Sequence, residues 1–312
     1  MTSQSVAKVK AHFIINPISG RGKPAKCWPR IREIFQTENW EFDATFTQRP
    51  GEASEIARQA AQNGCELIVP VGGDGTIHEV VNGLFVDGKA INPHTTLGLI
   101  PSGTGNDLAR VLRLPRETMA AARHLAASKR SRAIDLGEAT VTAKGKSVRQ
   151  LFTNDADLGF AAKVVERLER GGKFSRGTAP YFIALLRTAL EHRNQAMQLK
   201  TGDHMLNEPL TTVLICNGQS TGAGMRVAPD AILDDGLLDV VVVRALSRLE
   251  IFRHAPKIYN GTHVKLPQVS VLRARSVSLT SPERVPIVTD GELVGETPAS
   301  FRVLPGALRV MV

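Results

Sequence analysis

The chain has 312 residues, more than one ordinary hydrophobic core accommodates, and this length predicts two domains. Its three cysteines lack the paired spacing of zinc or redox sites, which is typical of a protein from a reducing compartment. The N-terminus lacks the apolar stretch of a signal peptide, and no apolar run approaches the roughly 18 residues of a membrane span. We therefore expect a cytoplasmic protein whose contact with the inner membrane surface is peripheral.

The formal net charge of +9 is concentrated in one part of the sequence. Residues 110–200 contain 18 Lys and Arg against 8 Asp and Glu, a local excess of +10. Such a band suits anionic lipid headgroups, a nucleotide or nucleic acid, and it is equally typical of a solvated basic surface. Nucleic acid is the weakest of these partners, because the chain has two Trp, two Tyr and no basic segment interleaved with aromatic residues. We expect contact with an anionic membrane surface and no nucleic acid, and a homodimer stays open.

Short apolar strands and amphipathic helices alternate from Val9 to about Ala127, which predicts a doubly wound parallel sheet. The predicted strands are Ala11–Ile15, Glu41–Thr47, Leu67–Val71 and Leu97–Ile100. The loops that follow them are rich in Gly, Ser, Thr or Asn and lie at the edge where such sheets bind ligands: Asn16–Lys23, Thr47–Gly51, Gly72–Thr76 and Pro101–Asn106.

After about Arg130 the pattern changes to β-branched runs separated by turns, which predicts an antiparallel β-sandwich. The predicted strands are Ser147–Asn154, Leu210–Asn217, Leu237–Arg244, Val269–Thr280 and Arg284–Val288, and the predicted helices are Ala161–Arg170, Pro180–His192 and Arg248–Tyr259. We therefore place a nucleotide-binding α/β domain at residues 1–130 and a substrate domain at residues 131–300. Periodicity alone does not assign residues 301–312 to either domain.

The segment Gly72-Gly73-Asp74-Gly75-Thr76 joins a buried strand to a helical pattern that begins at Ile77. Its glycines let backbone N–H groups approach phosphate oxygens at a helix N-terminus, and an aspartate among them suits a divalent cation shared with those oxygens. Alone, the segment is also consistent with a tight turn in which Asp74 caps the helix.

Two further loops repeat this theme at the same predicted edge. One contains Gly103, Thr104, Gly105 and Asn106, and the other is Asn16-Pro17-Ile18-Ser19-Gly20. The loop that begins at Asn16 is not a Walker A motif, and no dinucleotide Gly-x-Gly-x-x-Gly fingerprint follows the first strand. The recurrence of these loops favours a nucleotide over an isolated helix-start turn.

Carboxylates cluster twice in the second half of the chain. Asp234 and Asp235, with the backbone carbonyls near Ile232 and Leu237, are candidate ligands of a hard cation. Asp290 and Glu292 flank a glycine after an apolar strand, and phosphoryl transfer to an alcohol needs a carboxylate that accepts the hydroxyl proton. An ordinary Asp-Gly turn remains an alternative for each cluster.

In order along nearly the whole chain, these motifs resemble the diacylglycerol kinase catalytic-domain family, which includes soluble bacterial lipid kinases and the sphingosine and ceramide kinases. The matching segments are Asn16–Gly20, Thr47 ahead of Gly51, Gly72–Glu79, Gly103–Asp107, Gly222–Pro229, Asp235–Asp239 and Asp290–Glu292. One departure is His78, where family members usually have asparagine. The resemblance implies a phosphofructokinase-like domain followed by a β-sandwich, with the carboxy-terminal tail returning to the first domain.

The resemblance also implies the roles of particular residues. ATP would be bound by Asn16, Pro17, Ile18, Ser19, Gly20, Thr47, Gly72, Gly73, Asp74, Gly75, Thr76, Ile77, His78, Glu79, Gly103, Thr104 and Asn106, with Asp74 acting through Mg²⁺. Glu292, assisted by Asp290, resembles the family's base for the lipid hydroxyl. A second, more structural Mg²⁺ would lie at Asp235 with backbone oxygens near Ile232 and Leu237.

The sequence thus predicts an ATP- and Mg²⁺-dependent kinase that phosphorylates a hydroxyl of a membrane lipid, with diacylglycerol as the first candidate. Residues 171–192, with Lys173, Arg176, Tyr181 and Phe182, would border the lipid entrance or form an ordinary amphipathic helix. A kinase acting on NAD or a sugar, and a nucleotide-binding membrane-surface protein without catalysis, are the alternatives.

Overall fold

A computed structural model describes residues 10–171, 178–202 and 204–312. The chain forms two compact units: unit 1 comprises Met1–Ile134 and Ala307–Val312, and unit 2 comprises Asp135–Gly306. The return to unit 1 thus begins at Ala307, whereas the sequence left all of 301–312 open. The boundary between the units lies within the long strand Ser131–Ala143, four residues after the expected position 130.

Unit 1 is an α/β unit in which strands and helices alternate. Its elements are β1 (Lys10–Ile15), α1 (Ser19–Thr37), β2 (Glu41–Phe46), α2 (Glu52–Gln62), β3 (Leu67–Gly72), α3 (Asp74–Gly83), β4 (Phe85–Val86), β5 (Lys89–Ala90), β6 (Thr96–Leu97), β7 (Ile100–Pro101), α4 (Asp107–Val111) and α5 (Thr118–Ala127). β2, β1, β3 and β6 are neighbours in this order, and every pairing among them is parallel. The doubly wound parallel sheet predicted from the sequence is therefore confirmed.

The predicted strand Leu97–Ile100 is interrupted in the structure. β6 pairs with the start of β3 and β7 pairs with its end, while Gly98 and Leu99 lie between them. Opposite this gap β3 contains Pro70, which has no N–H to donate to a neighbouring strand. The missing donor explains why the ladder breaks into two short pieces.

An aromatic cluster fills the core of unit 1 on one side of β1. Phe13 is fully buried, and its ring centroid lies 5.4 Å from that of Trp28, 4.8 Å from Phe35 and 5.1 Å from Phe42. The rings are tilted or edge-on, which is the arrangement that aromatic quadrupoles favour. This packing fixes α1 against the sheet whose carboxyl edge carries the predicted nucleotide loops.

Unit 2 is built mainly of antiparallel strands. Its elements are β8 (Ser131–Ala143), β9 (Lys146–Phe152), β10 (Asp155–Gly159), α6 (Phe160–Arg170), α7 (Thr178–Glu191), β11 (Gln195–Thr201), β12 (His204–Cys216), β13 (Leu238–Arg244), α8 (Arg248–His254), β14 (Val269–Ala274), β15 (Ser276–Thr280), β16 (Pro286–Thr289) and β17 (Glu292–Met311). Its core contains Phe152, Leu199, Ile215, Ile287 and Phe301, all nearly or fully buried.

The strands of unit 2 form a β-sandwich whose layers are joined by shared long strands. β12 pairs with β10 and β13 near its end and with β11 near its start, while β17 pairs with both β16 and β15. Residues 269–280, predicted as one strand, divide at Arg275 because β14 pairs with β13 whereas β15 pairs with β11 and β17. The predicted helix 248–259 ends at His254 and continues as a 3₁₀ turn, Ala255–Ile258.

Among the described residues, no helix combines the length and apolar content that crossing a bilayer requires. Two of the residues predicted at a lipid entrance, Lys173 and Arg176, lie outside the described residues. The backbone of Tyr181 and Phe182 belongs to α7, but their side chains lie outside the description. The lipid entrance therefore stays a prediction.

We expect Phe13→Ala to destabilise unit 1 by about 3–5 kcal/mol, because it removes a buried ring from the aromatic cluster and leaves a cavity. Both tryptophans of the chain, Trp28 and Trp40, lie in unit 1, so fluorescence during chemical denaturation follows this unit selectively. Phe46→Ala is the matched control because Phe46 is 40% exposed, and we expect a smaller loss. Equal losses for the two variants would contradict the proposed importance of the cluster.

Candidate active site

Helix α3 begins directly after β3 and carries the central glycine-rich segment of unit 1. Gly73 is the N-cap residue in an extended conformation, and its carbonyl accepts hydrogen bonds from the N–H groups of Thr76 (3.0 Å) and Ile77 (3.1 Å). The remaining N–H groups of the first helical turn have no partner within the helix, and the helix dipole favours an anion there. The segment therefore combines the features of a phosphate site.

The three predicted nucleotide loops come together in unit 1. A Cβ atom on Gly73 would lie 3.2 Å from both the Gly103 Cα and the Ser19 Oγ, and one on Gly103 would lie 2.7 Å from the Gly73 Cα. Gly20 has a φ of +51°, and a Cβ there would overlap the carbonyl oxygen of Ser102. At Gly20 and Gly103 only glycine permits this approach, because a Cβ atom there would overlap backbone atoms. The loops thus form one site in unit 1.

Asp74 links two of these loops through its carboxylate. Oδ2 accepts a hydrogen bond from the Asn106 N–H and Oδ1 accepts one from the Asp107 N–H, each at 2.8 Å. Asp107 is the first residue of α4, so the carboxylate of Asp74 caps this helix as well as standing in the first turn of α3. The aspartate predicted to bind Mg²⁺ therefore also fixes the geometry of the site.

Other predicted nucleotide residues support the loops. The Asn16 side chain donates to Thr76 Oγ1 at 3.0 Å, and Asn106 accepts from the Gly103 N–H at 2.9 Å. Thr104 is exposed, as is Ile18. The other nucleotide residues predicted at this edge of the sheet are Pro17, Thr47, Gly72 and Gly75.

Three of the predicted nucleotide residues are buried or cap another helix. Ile77 and His78 are buried, and the His78 ring lies 3.4 Å from the Asn82 side chain on the same helix. Glu79 accepts hydrogen bonds from the N–H groups of Gly51 (3.0 Å) and Ala53 (3.2 Å), which caps α2. These contacts are structural, and the nucleotide roles of these residues stay predictions.

In unit 2, Asp290 and Glu292 belong to a tight hairpin between β16 and β17. Asp290 and Gly291 both have positive φ angles, 47° and 86°, as a two-residue turn of this type requires. The Asp290 carboxylate accepts four hydrogen bonds, from the Thr153 N–H and Oγ1, the Asn154 N–H and the Asp155 N–H, over distances of 2.8–3.3 Å. Glu292 is exposed at the start of β17.

Helix α6 contributes a residue to this hairpin that the sequence motifs do not indicate. The Glu169 Oε1 atom accepts a hydrogen bond from the Leu293 N–H at 3.2 Å, next to Glu292. Together with the contacts of Asp290, this bond fixes the backbone on both sides of Glu292. The structure thus presents Glu292 as an exposed carboxylate on a rigid turn, which suits a proton acceptor.

The predicted cation site near Asp235 contains an ion pair. Its carboxylate pairs with Arg273 and accepts a hydrogen bond from the Leu237 N–H at 3.0 Å, while Ile232 is 47% exposed. Within residues 10–171, 178–202 and 204–312, no group of three His, Cys, Asp or Glu side chains is arranged to hold a metal ion. The second Mg²⁺ site therefore stays a prediction, and Arg273 provides the positive charge at Asp235.

Sequence patterns also missed buried aspartates in unit 2. Asp135 accepts hydrogen bonds from the N–H groups of Gly236 and Gly306, each at 2.7 Å, so it fixes the segment that contains Asp235. Asp155 and Asp157 are buried on β10, and burial raises the pKa of both carboxyls, that of Asp157 to about 7. In the sequence, each of these aspartates could have been recognised as a polar residue within an apolar strand.

Family models cover both parts of the chain. Residues 10–139 match the diacylglycerol kinase catalytic domain, and residues 156–312 match the YegS C-terminal NAD kinase beta sandwich-like domain. The second match alone spans half of the chain. The resemblance and the fold class predicted from the sequence are confirmed.

Curated relatives match the chain over most of their own length. The chain is 28% identical to a diacylglycerol kinase of Bacillus subtilis over 94% of its length and 92% of that protein. It is also 28% identical to a diacylglycerol kinase of Mycobacterium tuberculosis, over 98% of this chain and 95% of that protein.

Solved structures show the same fold. A diacylglycerol kinase from Bacillus anthracis superposes with a TM-score of 0.71 at 20% identity, covering 97% of this chain and 96% of that one. Yeast NADH kinase superposes with a TM-score of 0.52 at 13% identity, covering 98% and 83% of the two chains. The chain therefore belongs to the diacylglycerol kinase family, a family of lipid kinases, and its catalytic domain is followed by a YegS C-terminal β-sandwich domain.

Proposed function

We propose that this protein transfers the γ-phosphate of ATP to a hydroxyl group of a membrane lipid, with diacylglycerol as the first candidate. The observation that carries the proposal is the close approach of the Gly20, Gly73 and Gly103 loops around the N-terminus of α3. Membership of a lipid kinase family supports the same reaction class.

The loops of unit 1 would bind the triphosphate through backbone N–H groups. Such donors are fixed before the ligand arrives, so they stabilise phosphate charge without reorganisation during the reaction. Close packing of Gly73 against Gly103 leaves backbone rather than side chains at the site. Loop geometry thus favours a polyphosphate over an uncharged ligand.

The residues of unit 1 fit a magnesium ion that arrives with the nucleotide. Mg²⁺ is commonly held by one or two carboxylates together with substrate phosphates, so a dedicated cage of side chains is unnecessary. Asp74, at the N-terminus of α3, would hold the ion in this way. When bound, Mg²⁺ neutralises charge that develops on the phosphate oxygens.

In unit 2, Glu292 would accept the proton of the lipid hydroxyl. The hydroxyl oxygen then forms a bond to the γ-phosphorus, the bond from that phosphorus to the β,γ-bridging oxygen breaks, and ADP leaves. Asp290 positions Glu292 through its four hydrogen bonds to residues 153–155. Catalysis of phosphoryl transfer rests mainly on such positioning and on charge stabilisation.

A basic and apolar surface on α7 and α8 supports peripheral contact with an anionic membrane. Leu190 is 58% exposed and Leu249 is 77% exposed, and the two helices pack through Ala189 and Ile251. The exposed cations on the same segments are Arg187, Arg193, Arg248 and Arg253. Apolar side chains flanked by arginines suit insertion at the level of anionic headgroups, here at the inner membrane surface.

A radiolabel transfer assay tests the proposed reaction. The purified protein is incubated with γ-labelled ATP, Mg²⁺ and mixed micelles of diacylglycerol, phosphatidylglycerol, monoacylglycerol, ceramide or sphingosine, and with NAD and sugars as soluble acceptors. We expect label in a lipid and a decrease of about 10²–10³-fold in kcat for Asp74→Asn, because this change removes a charge from the phosphate site.

Label in NAD or a sugar alone would replace the lipid with a soluble acceptor. Nucleotide binding without transfer to any acceptor would leave a protein that has lost catalysis. The thermal midpoint of Asp74→Asn serves as the folding control, since the amide oxygen of the variant can still accept one of the two backbone hydrogen bonds.

We expect Glu292→Gln to lower kcat by roughly 10²–10⁴-fold, the usual contribution of a general base, and to leave the Kd for ATP unchanged. Single-turnover kinetics and equilibrium nucleotide binding measure the two quantities separately. Glu283→Gln is the matched control, because Glu283 is an exposed carboxylate of the same unit. Normal turnover in Glu292→Gln would assign the base to another group.

We expect the double variant Arg248→Glu/Leu249→Ser to bind phosphatidylglycerol vesicles at least about tenfold more weakly, since each cation near an anionic surface contributes roughly 1 kcal/mol. Vesicle sedimentation measures the partition coefficient. Val148→Ser/Arg149→Glu makes equivalent changes at exposed positions of β9 and is the matched control. Equal binding by both double variants would place the membrane contact elsewhere.

A further inference from the structure

Strand β10 carries two aspartates on one of its faces. Asp155 and Asp157 are two residues apart, so their side chains point to the same side of the strand. β10 lies between β12 and β16, with Asp155 opposite Cys216 and Asp157 opposite Leu214. Only 2% of Asp155 and 9% of Asp157 are exposed. The two carboxyls are therefore interior groups.

Within the described part of the chain, these carboxyls lack the donors that buried carboxylates need. Neither oxygen of Asp155 and not Oδ1 of Asp157 has a hydrogen-bond donor, whereas an ionised carboxylate can only accept. Two such anions side by side in the interior would be strongly unfavourable. A proton on one of the two carboxyls removes one of these charges and provides a donor for the other.

The surroundings of the pair favour a proton rather than a metal ion or an ammonium group. Burial is the main cause that raises the pKa of each carboxyl, and the negative charge of Asp290 raises both further. The Thr221 hydroxyl lowers the pKa of Asp155, and no Lys, Arg or His is among the main causes that act on either group. No metal-binding group of three ligands occurs in the described ranges.

The charged groups on the elements packed against β10 are engaged elsewhere or are themselves acidic. Cys216 on β12 has a raised pKa because it is buried, and the charges of Asp155, Asp157 and Asp239 raise it further. On α6 the charged groups meet other partners: Glu166 pairs with Arg170 and Arg284, Arg167 pairs with Glu191, Glu169 accepts from Leu293, and Lys163 faces Glu283 and Glu166.

The pair is connected directly to the hairpin that presents Glu292. The Asp290 N–H donates to the Asp155 carbonyl at 3.0 Å, and the Asp155 N–H donates to Asp290 Oδ1 at 3.3 Å. A second negative charge on the pair would repel the Asp290 carboxylate and weaken these bonds. The protonation state of the pair therefore affects the position of the hairpin.

We propose that Asp155 and Asp157 share one proton at neutral pH and act as positioning residues, so that the Asp290–Glu292 hairpin keeps its active geometry only while that proton is bound. The proposal rests on the proposed phosphoryl transfer for its effect on turnover. Its effect on stability does not depend on any reaction.

The sign of the stability effect follows from the shift of Asp157. The pKa of Asp157 is about 7 in the folded protein against 3.8 for an ordinary aspartate, and the pKa of Asp155 is raised as well. The stability that bound protons contribute is therefore present in full below about pH 4 and is lost as pH rises through 7 and above. In Asp157→Asn the amide donates to Asp155 at every pH. We expect the thermal midpoint of the wild type to fall relative to this variant by roughly 5–10 °C between pH 5 and pH 8.

Turnover tests the positioning role. We expect the wild-type kcat to fall above about pH 7 and that of Asp157→Asn to stay level there, with the Kd for ATP unchanged in both. Glu283→Gln, which changes an exposed carboxylate, should keep the wild-type profile. A purely structural role of Asp157 would change kcat by the same factor at every pH.

Each outcome supports or overturns the proposal. Equal pH dependence of the thermal midpoints in wild type and Asp157→Asn would overturn the shared proton, as would failure of Asp157→Asn to fold at pH 8. Different midpoints with identical kcat profiles would overturn the positioning role alone. A wild type that phosphorylates no acceptor would refute the proposed function, and the stability comparison would still decide whether the proton is shared.

Discussion

The carboxylate of Asp74 is the interaction on which the candidate site of unit 1 depends. It accepts the N–H groups of Asn106 and Asp107, so a single side chain connects the start of α3 to the start of α4. The two helix N-termini offer partial positive charge, which offsets the negative charge of the aspartate. The close approach of Gly73 and Gly103 makes this connection sterically feasible. Without this shared acceptor, no hydrogen bonds to the Asp74 side chain would join the start of α3 to the start of α4 in the candidate phosphate site.

Unit 2 uses the same device at its hairpin. Asp290 accepts four donors from residues 153–155 and is thereby held in place, while the neighbouring Glu292 is exposed. A carboxylate that accepts three backbone N–H groups and one hydroxyl anchors the turn to which it belongs. This difference in hydrogen bonding distinguishes the roles of the two residues, although the sequence presents them as a symmetrical pair around Gly291.

The sequence predicted the fold well where periodicity and turn residues agree. β1, β2, β3 and α6 lie within a few residues of their predicted positions, because each has a regular apolar pattern in the sequence. The sequence did not predict that β17 runs for 20 residues, since its exposed and buried positions alternate irregularly. The sequence also did not predict the break between β6 and β7. This break depends on Pro70 in the neighbouring strand β3 rather than on the local pattern.

The candidate site shows the same division. Motifs identified Asp74, Asp290 and Glu292 from their glycine-rich context. The groups that donate hydrogen bonds to the two aspartates, however, lie more than 30 residues away in the chain. Asp155 and Asp157 lack any such context because their neighbours on β10 form an ordinary buried strand.

The number of donors is what separates the aspartates of this protein. Asp74 accepts from two backbone N–H groups, and Asp290 accepts from three backbone N–H groups and one hydroxyl. Neither oxygen of Asp155 has a hydrogen-bond partner among the described residues. An aspartate with backbone donors fixes a loop, whereas a buried aspartate without donors favours its protonated form. Residue type therefore limits the chemistry that is available at each position, and the folded backbone decides which of these states the residue adopts.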